Sequence, residues 1–224
     1  MSLSSLRKVA ELDFPTHWAH FRLLAFESIP KGAESNSSRV QSTFALILGD
    51  IHSSPPIVRI HSQCMTGDIF HSLRCDCHDQ LHLALRMIAG EGAGILVYEQ
   101  QEGRGIGLME KLRAYELQDH GLDTIEANLR LGHAADLRDF YLPVQLLLYL
   151  RVSSIRLLTN NPDKINAVTA AGIEVAGRLN ATVQITPHSA RYVATKRDKL
   201  GHLSDDSANP AGEPLARHDF RREA

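Results

Sequence analysis

GILVYEQQEGRGIGLMEKLRAYELQDH, residues 94–120, sets out three elements in succession. Gly94–Tyr98 is an uninterrupted apolar run and predicts a buried strand. Glu102–Gly107 (EGRGIG) concentrates glycine in one turn. A helix is then expected to about His120, where Gly121 stops it. Strand, glycine turn and helix in that order belong to folds in which helices pack on a sheet.

The same alternation extends in both directions. Thr43–Leu48 and Ile57–Ile60 bracket GDIHSSPP and predict two strands joined by a turn. Asp79–Ala89 spaces Leu81, Leu85 and Ile88 as one helix face. Leu142–Leu150 is apolar nearly all round, which suits either a buried core helix or an interface helix. Ile155–Thr159 predicts a strand, and Asn160-Asn161-Pro162 opens a helix that ends at Gly172. The fold class expected is α/β (α+β), a mixed sheet flanked by helices in a single domain over residues 8–202. Residues 31–42 are small and polar and read as a loop or hairpin connection. Residues 203–224 are polar and Pro/Gly-bearing and predict a disordered tail.

The chain has 224 residues, 43% of them hydrophobic, and a formal net charge of −2. Such a balance gives no electrostatic reason to expect nucleic acid or an anionic membrane as partner. No apolar run is long enough to span a bilayer. The opening MSLSSLRKVAELDF has no apolar stretch of a secretory signal. With reduced cysteines, a cytoplasmic location is expected.

All the cysteines fall in SQCMTGDIFHSLRCDCHDQ, as Cys64, Cys75 and Cys77. An odd count rules out full internal disulfide pairing, whereas three converging thiolates make a zinc site lacking one ligand. A histidine from His61, His71 or His78 would complete a structural knuckle. An open fourth position would instead take a water whose pKa zinc lowers to about 7. Cys75 and Cys77 on one strand would point the same way.

Three further segments suit an anion. Gln100–Leu108 can present backbone N–H groups at a helix start, with Arg104 able to grip phosphate bidentately; the alternative is a plain strand-to-helix turn. In Gly132–Phe140, Asp136 and Arg138 would share a side only on a non-helical backbone; otherwise they are a solvated charge run. In Leu157–Lys164, Thr159 and Lys164 could meet a phosphate or base edge, or the asparagines could simply cap a helix.

Taken together, RIHSQC, SLRCDC, QEGRGIGL, RAYELQD, AADLRDF and LLTNNPDK resemble the GTP cyclohydrolase II family across roughly residues 8–202, with TKRDKLGH near the end. The resemblance implies a zinc-dependent enzyme that opens the imidazole ring of GTP at C8. Formate and pyrophosphate are released and a diaminopyrimidinone ribosylamine phosphate remains, which opens riboflavin biosynthesis. It implies Cys64, Cys75 and Cys77 as ligands of one Zn²⁺ per chain, and Mg²⁺ on the triphosphate. Arg138 would be the nucleophile toward the α-phosphorus, with Asp136 as its base and Tyr115 near the reacting ring. Arg59, Ile60, His61, Ser62, Gln63, Gln80, Glu102, Gly103, Arg104, Thr124, Thr159 and Lys164 would contact GTP. A homodimer is implied. Nothing in the chain resembles the dihydroxybutanone-phosphate synthase domain often fused to this enzyme. Three positions depart from the family's pattern: Gln63 stands for Glu, His78 for Gly and Gln100 for Arg. A paralogue acting on GTP or another purine nucleotide in a secondary-metabolite pathway is one rival reading. A catalytically silent nucleotide-binding regulator is the other, and retention of the cysteines, Asp136 and Arg138 argues against silence.

Overall fold

A computed structural model of the chain describes residues 5–29 and 41–203. In order, the elements are β1 (Ser5–Pro15), β2 (His20–Ile29), β3 (Gln41–Leu48), β4 (Ile57–Ser62), α1 (Met65–Asp68), α2 (Cys77–Glu91), β5 (Gly94–Glu99), α3 (Leu108–Asp119), α4 (Thr124–Arg130), α5 (Tyr141–Tyr149), β6 (Ser154–Leu158), α6 (Pro162–Ala170), β7 (Glu174–Leu179) and α7 (Ala190–Leu200). The strands form one seven-stranded sheet in the order β1-β2-β3-β5-β4-β6-β7. Pairing is antiparallel from β1 through β3 to β5, and parallel among β5, β4, β6 and β7. The mixed sheet with flanking helices is thus the one the alternation of elements leads to.

The sheet buries both faces, which explains the continuous apolar runs of its central strands. On one face Val58, Ile60, Ile95, Val97, Ile155 and Leu157 pack with α5 and α6 through Val144, Leu146, Leu147 and Val168. On the other, Ile57, Leu96 and Leu158 pack with Ala84, Leu85 and Ile88 of α2. Gly94 is needed at the start of β5, because a Cβ there would lie 2.7 Å from the Ile57 carbonyl oxygen.

Several expectations need correction. The strands predicted at 43–48 and 57–60 are present, but they are not neighbours. β5 lies between them, pairing antiparallel with β3 and parallel with β4. Its side chains from Ile95 to Val97 are buried, so a central position suits it better than an edge. The helix predicted from Asp79 begins two residues earlier, at Cys77. β1 and β2, which the sequence reading left unassigned, form a long hairpin. In α5 Leu142, Val144, Leu146 and Leu147 are buried in the chain's own core, while Leu148 and Tyr149 are 41% and 48% exposed. Within the predicted loop at 31–42, Gln41 and Ser42 open β3 and the rest lies outside the described residues. The predicted tail from Ser204 onward lies outside them as well. Among the described residues no helix is long and apolar enough to cross a membrane.

Candidate active site

Parallel strands share a direction, so β4, β5 and β6 end on one edge of the sheet, where their following loops converge. Asp68, closing α1, organises the loop after β4. Its carboxylate accepts from the Cys64 amide at 3.0 Å and the Tyr98 hydroxyl at 2.8 Å, and lies 3.1 Å from His61 Nε2. Cys75 sits in the turn before α2, and Cys77 is that helix's first residue. The two therefore do not share a strand, contrary to expectation. Asp76, at φ −100° and ψ 10°, turns the backbone between them. The sulfurs of Cys64, Cys75 and Cys77 nonetheless lie within 4.8 Å of one another, those of Cys64 and Cys75 at 3.7 Å. All three cysteines are free.

This donor set fits zinc. Thiolates about 2.3 Å from a tetrahedral zinc stand about 3.8 Å apart. Gly67 keeps the ground clear: a Cβ there would lie 3.1 Å from both the Cys64 and Cys75 sulfurs. Among the described residues no histidine or carboxylate joins the cluster. His61 is engaged by Asp68, and His78 packs between the rings of His71 and His82. The histidine-completed knuckle is therefore not formed.

One cation faces the thiols. Lys111 Nζ, on α3, donates to Cys64 Sγ at 3.1 Å, to Thr66 Oγ1 at 2.8 Å and to Glu102 Oε1 at 2.7 Å. Hydrogen bonds from Cys75 and Cys77, with the Lys111 charge, push the Cys64 thiol far down, so it carries the first negative charge. Burial opposes the charge on Lys111, but the Cys64 thiolate and Glu102 outweigh it and hold the lysine protonated. Glu102 also accepts from the Met65 amide at 2.6 Å, tying the glycine turn to the thiol loop. Tyr115 Oη lies 3.5 Å from Thr66 Oγ1, over the same region.

The other end of the cleft is cationic. Gly103, Arg104 and Gly105 all take positive φ, at 62°, 61° and 91°. For arginine this is strained, and such strain concentrates where a side chain must be aimed. The Arg104 side chain is buried, and its Nη1 and Nη2 have no hydrogen-bond partner. The Arg104 carbonyl accepts from Leu137 N at 3.0 Å. The Gln101 amide bridges to Asp139, receiving its N–H at 2.8 Å and donating to its carbonyl at 2.5 Å. These bonds hold the 132–139 segment against the turn. Its backbone is non-helical, so Asp136 and Arg138 do share a side. Asp136 accepts from Arg138 Nε at 2.9 Å and from Nη2. Burial works against both charges, yet each partner keeps the other ionised.

Arg59 reaches this end from β4. It donates to the Leu158 carbonyl at 3.0 Å and to Gln80 Oε1 at 2.7 Å, and burial lowers its pKa to about 10. The Gln80 amide donates to Asp76 at 2.8 Å, and Asp76 also receives Lys196 Nζ at 2.5 Å. Among the described residues Lys164 Nζ donates only to the Ile60 carbonyl, at 2.8 Å. Burial, with Arg59 and Arg138 nearby, pushes its pKa well below the usual lysine range. An anion arriving among these groups would be met by cations short of partners.

A sequence model of GTP cyclohydrolase II matches residues 7–180 of this chain. The chain belongs to the GTP cyclohydrolase II family. It is 48% identical over 199 residues to the GTP cyclohydrolase-2 of Enterobacter sp. (strain 638), a match covering 88% of this chain and 97% of that one. It is 50% identical over 202 residues to the GTP cyclohydrolase-2 of Baumannia cicadellinicola, covering 90% and 98%. The riboflavin biosynthesis protein RibBA of Phocaeicola vulgatus is 48% identical over 202 residues, covering 89% of this chain and 48% of that longer protein, about half its length.

Of the residues that the family resemblance singles out, all but Ile60 and Asp136 line one cleft. Ile60 is buried and contributes only its carbonyl, to Lys164. Asp136 stands behind Arg138. Thr124 and Thr159 reach the cleft from the start of α4 and the end of β6. Asn161, not Asn160, caps α6, accepting from Asp163 N at 2.9 Å. Of the three departures, Gln63 lines the cleft, whereas His78 and Gln100 do not. The sequence reading gives no role to Lys111, Gln101, Tyr192 or Lys196, all of which line it, although Gln101 falls in its glycine-turn segment and Lys196 in TKRDKLGH. Lys111 had a signal: it lies one helical turn before Tyr115 on α3. Lys196 falls in the TKRDKLGH stretch of the resemblance, whereas Tyr192 had no signal local enough to read.

Proposed function

We infer that this protein is a GTP cyclohydrolase II, a hydrolase that opens the imidazole ring of GTP at C8 with release of formate and pyrophosphate, at the entry to riboflavin biosynthesis. One observation carries the reading. A three-thiol cluster and a set of under-partnered cations share a single cleft, in a chain of this family. Cys64, Cys75 and Cys77 would hold zinc, which acidifies water and so supplies hydroxide at neutral pH for attack on the ring. Lys111 keeps Cys64 ionised and ready as a ligand. Tyr115 presents its hydroxyl beside Thr66, on the thiol side of the cleft, where it can orient or protonate the opening ring. Gln80 offers a hydrogen-bonding edge suited to a purine base, and Arg59, Arg104 and Lys164 receive the phosphates.

Arg138 takes the nucleophile's place. The resting guanidinium is protonated and cannot attack. Asp136 Oδ2 faces Nη2 and is the direct acceptor for its proton. The freed nitrogen would bond to the α-phosphorus as the bond to the β-phosphate oxygen breaks, and pyrophosphate would leave with its negative charge. Mg²⁺ is expected on the triphosphate oxygens. The finer readings include a homodimer, for which Leu148 and Tyr149 of α5 offer apolar surface, and a cytoplasmic location, which suits three free thiols. Action on another purine nucleotide has one observation in its favour, the neutral Gln63 in the cleft beside Cys64.

The test is incubation of the purified protein with GTP and Mg²⁺, with formate and pyrophosphate both quantified. Formate from GTP and not from ITP or ATP is expected. Release of neither product would overturn the reading, and formate from another purine alone would establish the rival.

A further inference from the structure

The family model matches residues 7–180, and the cleft extends beyond that span. α7 lies ten residues further on, and its Tyr192 and Lys196 both line the cleft. The helix is fixed at three places. Arg191 Nη2 donates to the Gly121 carbonyl at 2.5 Å, and Lys199 pairs with Asp123, the cap of α4. The Leu203 amide donates to the Asn160 carbonyl at 2.9 Å, beside the β6–α6 loop. Lys196 Nζ reaches Asp76, between two of the thiols, at 2.5 Å. A peripheral helix would have no reason to turn a part-buried lysine into the site.

The ring of Tyr192 is the centre of the arrangement. Lys196 Nζ lies 4.6 Å from its centroid and the Arg104 guanidinium carbon 5.4 Å. An aromatic ring holds cations without neutralising them. Two like charges thus share one ring, and Arg104 retains two buried nitrogens with no partner among the described residues. An ammonium has three donors and Asp76 takes one, so Lys196 keeps others for a second acceptor without leaving its carboxylate.

We propose that α7 belongs to the substrate site, with Lys196 binding a phosphate group of the nucleotide and Tyr192 positioning both Lys196 and Arg104 for it. This rests on the reading of the cleft as a nucleoside triphosphate site. Asp76 then has a second use. It holds Lys196 on one oxygen and Gln80 on the other, which couples the phosphate side to the base side.

The experiment uses the zinc-loaded full chain and titrates inorganic tripolyphosphate, GTP and guanosine by calorimetry. Lys196→Gln keeps a donor for Asp76 but removes the charge. It should weaken tripolyphosphate and GTP about tenfold or more, with guanosine changed by less than about twofold and zinc content intact. Lys196→Arg should recover most of the loss. Tyr192→Leu should weaken both phosphates, and Tyr192→Phe, which keeps the ring, should weaken them less. If Lys196 merely neutralises Asp76, Lys196→Gln will lower the melting temperature and leave tripolyphosphate affinity unchanged, which overturns the proposal. Wild-type protein that releases formate while Lys196→Gln matches it in KM for GTP overturns the α7 assignment alone. Wild-type protein that releases none overturns the functional reading, and a Lys196-dependent affinity for tripolyphosphate would still stand.

Discussion

The two ends of the cleft are finished to different degrees. At the thiol end, the charged groups are paired within the chain, while the neutral His61 Nδ1 and Ser62 Oγ lack partners among the described residues. Asp68 fixes Cys64 and Tyr98, Glu102 accepts from three donors, and Lys111 is shared among a thiolate, a hydroxyl and a carboxylate. At the phosphate end, Arg104 and Arg59 have side-chain nitrogens without partners, and Lys164 has only a carbonyl. Buried polar groups are normally satisfied, and exceptions call for an explanation. Folding thus completes one end up to its metal, while the other gains its partners from the substrate. Binding energy is spent where charge is least compensated.

The largest effect should come from taking one ligand out of the completed end. Cys75→Ser should drop zinc well below one per chain by elemental analysis and bring formate release to background. Full zinc in that variant would mean that the thiols are not the ligand set. At the other end, Arg138→Ala should cut pyrophosphate release by orders of magnitude while zinc stays bound. Arg138→Lys should fail to rescue it, because ammonium cannot make the fork that Asp136 receives. Undiminished pyrophosphate release in Arg138→Ala would remove this residue from the chemistry.

Arg104→Gly sharpens the contrast between stability and function. It relieves a left-handed arginine, worth about 1 kcal/mol or more, and removes a buried charge, against the entropy cost of a further glycine. The melting temperature should hold or rise while GTP affinity falls about tenfold or more. A drop in melting temperature with GTP affinity unchanged would make Arg104 structural.

The smallest effect concerns Glu99, the last residue of β5. It is 1% exposed and takes the Thr43 hydroxyl, and burial raises its pKa to about 7. A carboxyl with a raised native pKa binds its proton more tightly folded than unfolded. Its contribution to stability therefore falls as pH rises from about 4.5 to about 7, by up to about 3 kcal/mol. Glu99→Gln should flatten that part of the profile and stabilise the protein above pH 7, as read by thermal melts across pH. A slope in this window equal to the wild type's would show that Glu99 is not its source.

Much of the site was legible because its groups lie close in sequence or follow a strand. The cysteines fall within one short segment, the glycine turn follows an obvious strand, and Asn161 precedes proline at a helix start. The hairpin of β1 and β2 was not legible. In β1 apolar and charged residues fall on the same exposed surface, as Val9, Leu12 and Phe14 do beside Lys8 and Glu11, so no clean alternation marks it. The knuckle alternative also turned on tertiary facts, since nothing local says that Asp68 takes His61.

By itself, then, the sequence determined the donors. Three thiols without a fourth Cys, an arginine among glycines, and an Asp-x-Arg pair follow from residue identity and short spacing, because local periodicity and turn chemistry act over only a few residues. Only the tertiary structure decided their neighbours. Placing β5 between β3 and β4 brings the ends of three parallel strands to one edge, and so sets the thiol loop, the glycine turn and Thr159 around one cleft. It also brings Lys111 to Cys64 across 47 positions and Lys196 to Asp76 across 120. Those pairings are fixed by which apolar faces bury together, a property of the whole sheet that no single segment carries.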